Sequence, residues 1–211
     1  MNNNLAITQR NLPHWKRDGS IYWITFHLAD SLPLEKLRQW RAERDAWRVH
    51  HPEPWSEADW KEYDERFGEK IDSWLDAGMG SRALARSDIR EVVKQRLLAF
   101  DGVRLLVHAA VIMPTHVHAL LEPIDGNNIS QILKGIKGAS AREANKLLNT
   151  RGAFWFDESY DHIVRSLKQY HRFQNYITQN PTKSNLRIDE YWLKSNMLQA
   201  EAKVSQTFLS V

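Results

Sequence analysis

Two apolar runs separated by three residues constrain this chain more than any other feature. Val103, Leu105, Val107, Ala109 and Val111 alternate with Arg104, Leu106, His108 and Ala110. Side chains on an extended chain point alternately to opposite faces, so residues 103–112 are predicted as a strand with one strongly apolar face. Only Met113-Pro114-Thr115 separates this run from HVHALLE at 116–122, a second strand that Pro123, Asp125 and Gly126 close.

Other elements fall around this pair. Ile21–Leu28 (IYWITFHL) is aromatic and β-branched, as a strand should be. Residues 34–51 read as a helix with Leu37, Trp40 and Trp47 on one face, stopped by Pro52 and Pro54. Ser56 with Asp59 forms an approximate capping box for a second helix striped by Trp60, Tyr63 and Phe67, which Ile71, Trp74 and Leu75 continue. Residues 34–80 are therefore read as a Trp-rich helical insertion after the first strand, its aromatics at packing positions rather than free to stack on bases. Ser87 is expected to cap a helix with Ile89, Val92, Val93 and Phe100 inward, and 129–148 reads as another helix, weakened by Gly135 and Gly138. Phe154–Phe156 is a short strand candidate, and a helix from about Ser166 is expected to end at Asn180, before Pro181. The order predicts one α+β domain over residues 1–211: a ferredoxin-like antiparallel sheet with helices on one face, an N-terminal arm (1–20) and a polar C-terminal tail (184–211).

Composition narrows the function classes. The chain has no cysteine, which excludes disulfides, thiolate metal sites and cysteine nucleophiles. Net charge is +3 and the isoelectric point about 9.1, compatible with a nucleic-acid partner and equally with an ordinary basic surface. No apolar stretch approaches membrane-spanning length and MNNNLAITQR has no signal core, so a cytoplasmic protein with no membrane partner is expected. No Walker-type phosphate loop is present.

Two constellations carry chemistry. On a strand, His116 and His118 project from one face while Val117 and Ala119 point away. Neighbouring neutral imidazoles are half of a divalent-metal site, although a His-x-His pair also arises by chance among nine histidines. His108 is a neighbour or a structural histidine. The second is Tyr176 with Asn180. The apolar stripe of that helix is Leu167, Tyr170, Phe173 and Ile177, and Tyr176 lies about 100° away from it, with Gln169, Arg172 and Asn180. A tyrosine nucleophile needs such presentation, and a metal or base nearby to favour phenolate. A half-buried packing tyrosine is the alternative.

With these residues in view, MPTHVHALLEP (113–123), FWFDESYDHIVRS (154–166) and YITQNP (176–181), with NLPHW (11–15) and IYWITFHLADSLP (21–33), resemble the single-tyrosine HUH transposases, especially the REP-associated tyrosine transposases of bacteria. The resemblance spans most of residues 11–187. It implies that His116 and His118 bind Mg²⁺ or Mn²⁺, with Asn180 at the place of a third polar ligand, and that Tyr176 attacks the phosphodiester, leaving a 5′-phosphotyrosine and a free 3′-OH. Tyr160 is a second, weaker nucleophile candidate. The family often has Asn where Thr115 stands and Gln where Phe156 stands; neither exchange is expected to touch the chemistry. The implied partner is single-stranded or hairpin DNA of REP-like palindromes, met by a monomer or homodimer in the bacterial cytoplasm. Arg10, His14, Lys16 and Arg17 on the arm, Lys134 and Lys137 after the histidine strand, and His162 and Arg165 are the DNA-contact candidates, each with plain surface charge as its alternative. The implied activity is a metal-dependent single-strand endonuclease and transposase; the rivals are a non-catalytic DNA-binding descendant and a water-using metallo-phosphodiesterase in which Tyr176 is only structural.

Overall fold

A computed structural model describes residues 6–9, 13–16, 20–52 and 55–195 of the protein. Strands β1 (Ala6–Gln9) and β2 (Pro13–Lys16) form an antiparallel hairpin where an extended arm was expected. The central strands are β3 (Tyr22–His27), β4 (Leu105–Ile112), β5 (His116–Pro123), β6 (Tyr160–Ile163) and β7 (Trp192–Ser195). They make one antiparallel sheet in the order β6-β3-β5-β4-β7. Helix α4 (Ser87–Leu98) lies between β3 and β4, and α5 (Ile129–Leu148) between β5 and β6, which gives the βαββαβ frame of a ferredoxin-like fold. No helix among the described residues is long and apolar enough to cross a membrane.

The α+β fold with its antiparallel sheet is present, and helices cover both faces of the sheet rather than one. Ile24, Phe26, Val117 and Ala119 point towards Ile89 and Val93 of α4 and Ile132 and Ile136 of α5. Trp23, Val111 and Leu120 point the other way, towards Tyr170, Phe173 and Ile177 of α6 (Leu167–Lys183). The alternation expected through 103–112 is broken at His108. Val107 pairs with Leu121 and Ala109 with Leu120, so His108 is the extra residue of a β-bulge. Leu105, Val107, Ala110 and Ile112 therefore face α4 and α5, whereas Ala109 and Val111 face α6. His108 itself is buried and bonds the Glu122 carboxylate at 2.8 Å.

Three other local predictions change. Ser87 is the first residue of α4, not its cap; Arg86 holds that position without a side-chain bond. Phe154–Phe156 is not a strand: Phe154 O and Phe156 N bond Ala29 N and His27 O, and the segment has only the isolated bridge Leu28–Trp155, its backbone spaced by the burial of two aromatic rings. Helix α6 runs past Pro181 to Lys183. Proline removes the donor for the Ile177 carbonyl, but Ser184 N still bonds Asn180 O and Leu186 N bonds Pro181 O, so the last turn closes.

The insertion between β3 and α4 has its own core. It comprises α1 (Leu34–His50), α2 (Glu57–Tyr63), a π-helical turn (Asp64–Gly68) and α3 (Glu69–Asp76). The Ser56–Asp59 capping box forms as expected. Leu37, Trp40, Trp47, Phe67, Ile71 and Leu75 cluster, with Phe156 and Tyr160 packed against them. Trp40 Nε1 donates to Phe67 O at 3.1 Å, and Trp47 stacks on His51 and meets Trp55 edge-on. These aromatics are thus packing residues. The π turn adds a residue to the helical repeat and resets which side of α3 meets the sheet. Trp40→Ala should cost about 3–5 kcal/mol, by the loss of a fully buried aromatic and the cavity it leaves. Val49→Ala, at a position 77% exposed, should stay within about 0.5 kcal/mol in the same urea titration.

Candidate active site

The site forms where β5, α6 and α3 meet. His116 and His118 share a face of β5, as the alternation predicts, and both are buried. Their rings lie 4.5 Å apart. Each uses Nδ1 on a threonine: His118 Nδ1 is 2.8 Å from Thr25 Oγ1 on β3, and His116 Nδ1 is 2.9 Å from Thr115 Oγ1. Both Nε2 atoms are buried without a hydrogen-bond partner. Trp23 stacks on His118 at 5.0 Å and on Phe173 at 4.5 Å, which locks the His118 ring in place. Thr115, one of the two exchanged positions, thus sets its hydroxyl against the neighbouring imidazole. Phe156, the other exchanged position, stacks on His27 at 4.8 Å.

Helix α6 brings Tyr176 and Asn180 to the same place. The Tyr176 ring meets His118 edge-on at 5.2 Å and Trp23 at 5.6 Å. Both residues converge on a third group that the motifs did not reveal. Tyr176 OH donates to Asp76 Oδ2 at 3.1 Å, and Asn180 Nδ2 donates to Asp76 Oδ1 at 3.1 Å. Asp76 Oδ1 is also 3.5 Å from His116 Nε2. Among the described residues, Asp76, His116 and His118 each offer one ligand atom, and the three lie within 4.8 Å of one another. Asn180 Oδ1 is buried without a partner. Two unpaired imidazole nitrogens, a carboxylate and an unpaired amide oxygen form a donor set that fits a divalent cation of the Mg²⁺ or Mn²⁺ class.

Asp76 ends α3, so the insertion is part of the site. One turn earlier, Asp72 Oδ1 lies 4.0 Å from His118 Nδ1. The sequence signal was present as two acids at i and i+4 beside the inward Ile71 and Leu75, but nothing local tied that face to a strand some forty residues later. A cleft of about 650 Å³ opens in front of Tyr176, lined by Asp64, Glu69, Asp72 and Asp76 on one side and by Arg172, Asn175, Gln179 and Lys183 on the other.

Burial dominates the electrostatics. It holds His116 far below the usual imidazole range, His118 at about 3, and His27 and His162 at about 4. All four are neutral near pH 7, so each ring keeps one protonated and one unprotonated nitrogen. Burial, reinforced by the charges of Asp72 and Asp76, pushes the Tyr176 phenol up. Burial raises both carboxyls as well.

The remaining predicted positions are dispersed. Tyr160 on β6 is packed edge-on to Trp40 at 5.3 Å, under the insertion, and in register it lies across Thr25 from His118. Lys137 is engaged inside the protein: its ammonium bonds the carbonyls of Phe156 and Asp157 at 2.8 and 2.9 Å and Ser159 Oγ at 3.1 Å, and burial lowers it to about 8. Lys134 is exposed on α5, across the sheet from the site. His162 lies 3.8 Å from Asp64, and the Arg165 guanidinium lies over Trp60 at 4.0 Å. Arg10 and Arg17 lie outside the described residues, as do the side chains of His14 and Lys16.

With this geometry in hand, the comparisons are specific in one region. Residues 83–180 match the family described as "Transposase IS200 like", a span that holds His116, His118, Tyr176 and Asn180 but not Asp72 or Asp76. The resemblance read from the motifs is found again there. A solved REP-associated tyrosine transposase bound to a REP hairpin is similar at 15% identity and a TM-score of 0.46, over 82% of this chain and 74% of that one. A candidate transposase of Deinococcus radiodurans is similar at 17% identity and 0.34, over 76% and 89%. No curated protein matches the chain.

Burial gives these imidazoles a titration signature. The unfolded chain takes up protons below about pH 6.5 that folded His27 and His162 refuse until about 4, so their contribution to stability is full above 6.5 and is lost as pH falls towards 4. Asp72 and Asp76, with raised carboxyls, act in the opposite sense. The clean observable is therefore the rings themselves. In an NMR titration of metal-free protein, His27, His118 and His162 should remain neutral from about pH 7.5 to about pH 5.5. A midpoint near 6.5 for any of the three would show that its ring meets water.

Proposed function

We propose that this chain, similar over residues 83–180 to the IS200-like transposases, is a metal-dependent single-strand DNA nuclease and transposase that works through Tyr176. One observation carries the reading: the Tyr176 hydroxyl and the His116 Nε2 atom meet the two oxygens of one carboxylate, Asp76. A nucleophile and a cation site are thereby brought within one side chain of each other.

His116, His118 and Asp76 would hold the cation, with Asn180 Oδ1 as a further oxygen donor. A bound Mg²⁺ or Mn²⁺ supplies Lewis-acid polarisation of the scissile phosphate. The protein's own residues do the rest. Asp76 Oδ2 accepts the hydrogen bond of the phenol and is placed to take its proton, which a buried tyrosine does not release unaided. The phenolate oxygen forms a bond to phosphorus as the P–O3′ bond breaks, the departing 3′-oxygen takes up the proton passed to Asp76, directly or through water, to become a free 3′-OH, and the 5′ side stays on the enzyme as a phosphotyrosine. That ester conserves the energy for rejoining, so no nucleotide cofactor is required. Trp23 and Phe173 fix the His118 ring while this occurs.

The substrate reading is hairpin or single-stranded DNA of REP type. Arg172 and Lys183 are the cations in the cleft beside Tyr176, and Lys183 lies over its ring at 5.8 Å. Arg10, His14, Lys16, Arg17, Lys134, His162 and Arg165 remain DNA-contact candidates of the wider surface. Lys137, tied into the 156–159 loop, serves that role only if the loop releases it.

The test is a panel of labelled hairpin oligonucleotides with Mn²⁺, run on a denaturing gel for covalent adducts. Tyr176→Phe should abolish the adduct and leave the fold intact, since a single hydroxyl contributes about 1 kcal/mol. Tyr160→Phe should still form it. His116→Ala or His118→Ala should lose cleavage and keep much of the DNA affinity, which comes from many phosphate contacts. An adduct that survives Tyr176→Phe and vanishes with Tyr160→Phe would move the nucleophile to the other tyrosine. Hydrolysis without any adduct would make the protein a water-using phosphodiesterase, and binding without cleavage would make it the non-catalytic relative.

A further inference from the structure

Each active-site histidine rests on a threonine, and each threonine rests on α3 of the insertion. Thr115 Oγ1 donates to the main-chain carbonyl of Leu75 at 3.3 Å while lying 2.9 Å from His116 Nδ1. A hydroxyl has one proton. With that proton on Leu75 O, the bond to His116 can form only if Nδ1 carries the hydrogen and donates to Thr115. Nε2 then holds the lone pair, and it is the buried nitrogen left without a partner. The second imidazole repeats the pattern. Thr25 Oγ1 lies 2.8 Å from His118 Nδ1 and its hydroxyl bonds the Asp72 carboxylate. With the Thr25 proton on Asp72, His118 is also a donor at Nδ1 and bare at Nε2.

We infer that Thr25 and Thr115, anchored by Asp72 and the Leu75 carbonyl, are positioning residues that hold both histidines as Nδ1–H tautomers with their Nε2 atoms free. The insertion, which lies outside the segment matched by the transposase family, is by this inference the outer support of the centre and not an appendage with its own core. The tautomer half stands without any cation. The consequence for metal affinity rests on the functional reading above. Groups that orient a metal-bound histidine through its other nitrogen typically change affinity by about 10–100-fold when removed.

The test reads the tautomers directly. Long-range ¹H–¹⁵N NMR of metal-free protein near pH 7.5 should show His116 and His118 with a protonated Nδ1 and an unprotonated Nε2. Thr115→Val removes the relay at nearly constant volume and should give His116 a mixed population, with Thr115→Ser restoring the wild-type pattern. Asp72→Ala frees the Thr25 proton to turn towards His118 and should shift that ring instead. Mn²⁺ affinity, followed by EPR on the same proteins, should fall about 10–100-fold in Thr115→Val and recover in Thr115→Ser. Protonated Nε2 atoms in the wild type overturn the inference before any variant is made, as does a Thr115→Val protein with unchanged tautomers and Mn²⁺ affinity. Wild-type protein that shows the Nδ1–H tautomers and their dependence on threonine, but binds no Mn²⁺, upholds the positioning and overturns the metal reading.

Discussion

Two imidazoles buried side by side, each with an Nε2 atom that lacks a hydrogen-bond partner, are the constraint around which this protein is arranged. A buried polar atom without a partner costs about 1–3 kcal/mol, and here there are two within one strand. Water would satisfy them if it could enter freely, but Trp23, Phe173 and Tyr176 crowd the His118 side and Asp76 approaches from the other. The fold tolerates the cost because the opposite face of β5 is anchored by Val117, Ala119 and Leu121 in the main core. Such a cost, concentrated at one spot and surrounded by oxygen donors, is what a cation centre looks like before the cation is considered.

Charge follows from the same arrangement. α3 brings two carboxyls to neutral imidazoles, and both carboxyls are pushed up by burial. With Asp64 and Glu69 they make the cleft beside Tyr176 acidic on one wall, and Arg172 is already paired to Asp64. A polyanion gains little from such a wall. A divalent cation held by the histidine pair would change the balance: it would favour the ionised carboxylates and offset the acidic wall for a phosphate beside Tyr176. In the proposed reaction, therefore, DNA approach and cation binding are electrostatically coupled, although one concerns the cleft and the other the floor beneath it.

How much of this was legible in the sequence depended on the range of each interaction. The strands β3 and β5, the helix α5, the Ser56–Asp59 cap and the shared face of His116 and His118 follow from period and local chemistry, and all are present. The polar companions of Tyr176 were visible because α6 keeps an apolar stripe at Tyr170, Phe173 and Ile177. What local pattern cannot contain is register and phase. The bulge at His108 looks like uninterrupted alternation until β5 is laid against it. The strand β6 begins at Tyr160 rather than Phe154 because pairing with β3 selects the residues, and Trp155 is drawn into the core, where its Nε1 bonds Ser140. Asp76 was missed for the same reason. Its helix reads as packing, and only the π turn and the docking of Leu75 against Thr115 decide that its acidic edge faces the histidines.

The division between matched and unmatched sequence is accordingly not a division between site and scaffold. The segment 83–180 supplies both imidazoles, the tyrosine and the amide. Alone, it would leave the Thr115 hydroxyl without Leu75 O to receive its proton, and the phenol without Asp76. α3 of the insertion provides both of those partners, Thr25 on β3 provides the one at His118 Nδ1, and all precede the matched segment in the chain. The large aromatic core of α1–α3 then has a role beyond its own stability. Burying two carboxyls against the sheet costs solvation, with repulsion between Asp72 and its acidic neighbours on the same segment added to it, and the packing of Trp40, Phe67, Ile71 and Leu75 opposes that cost.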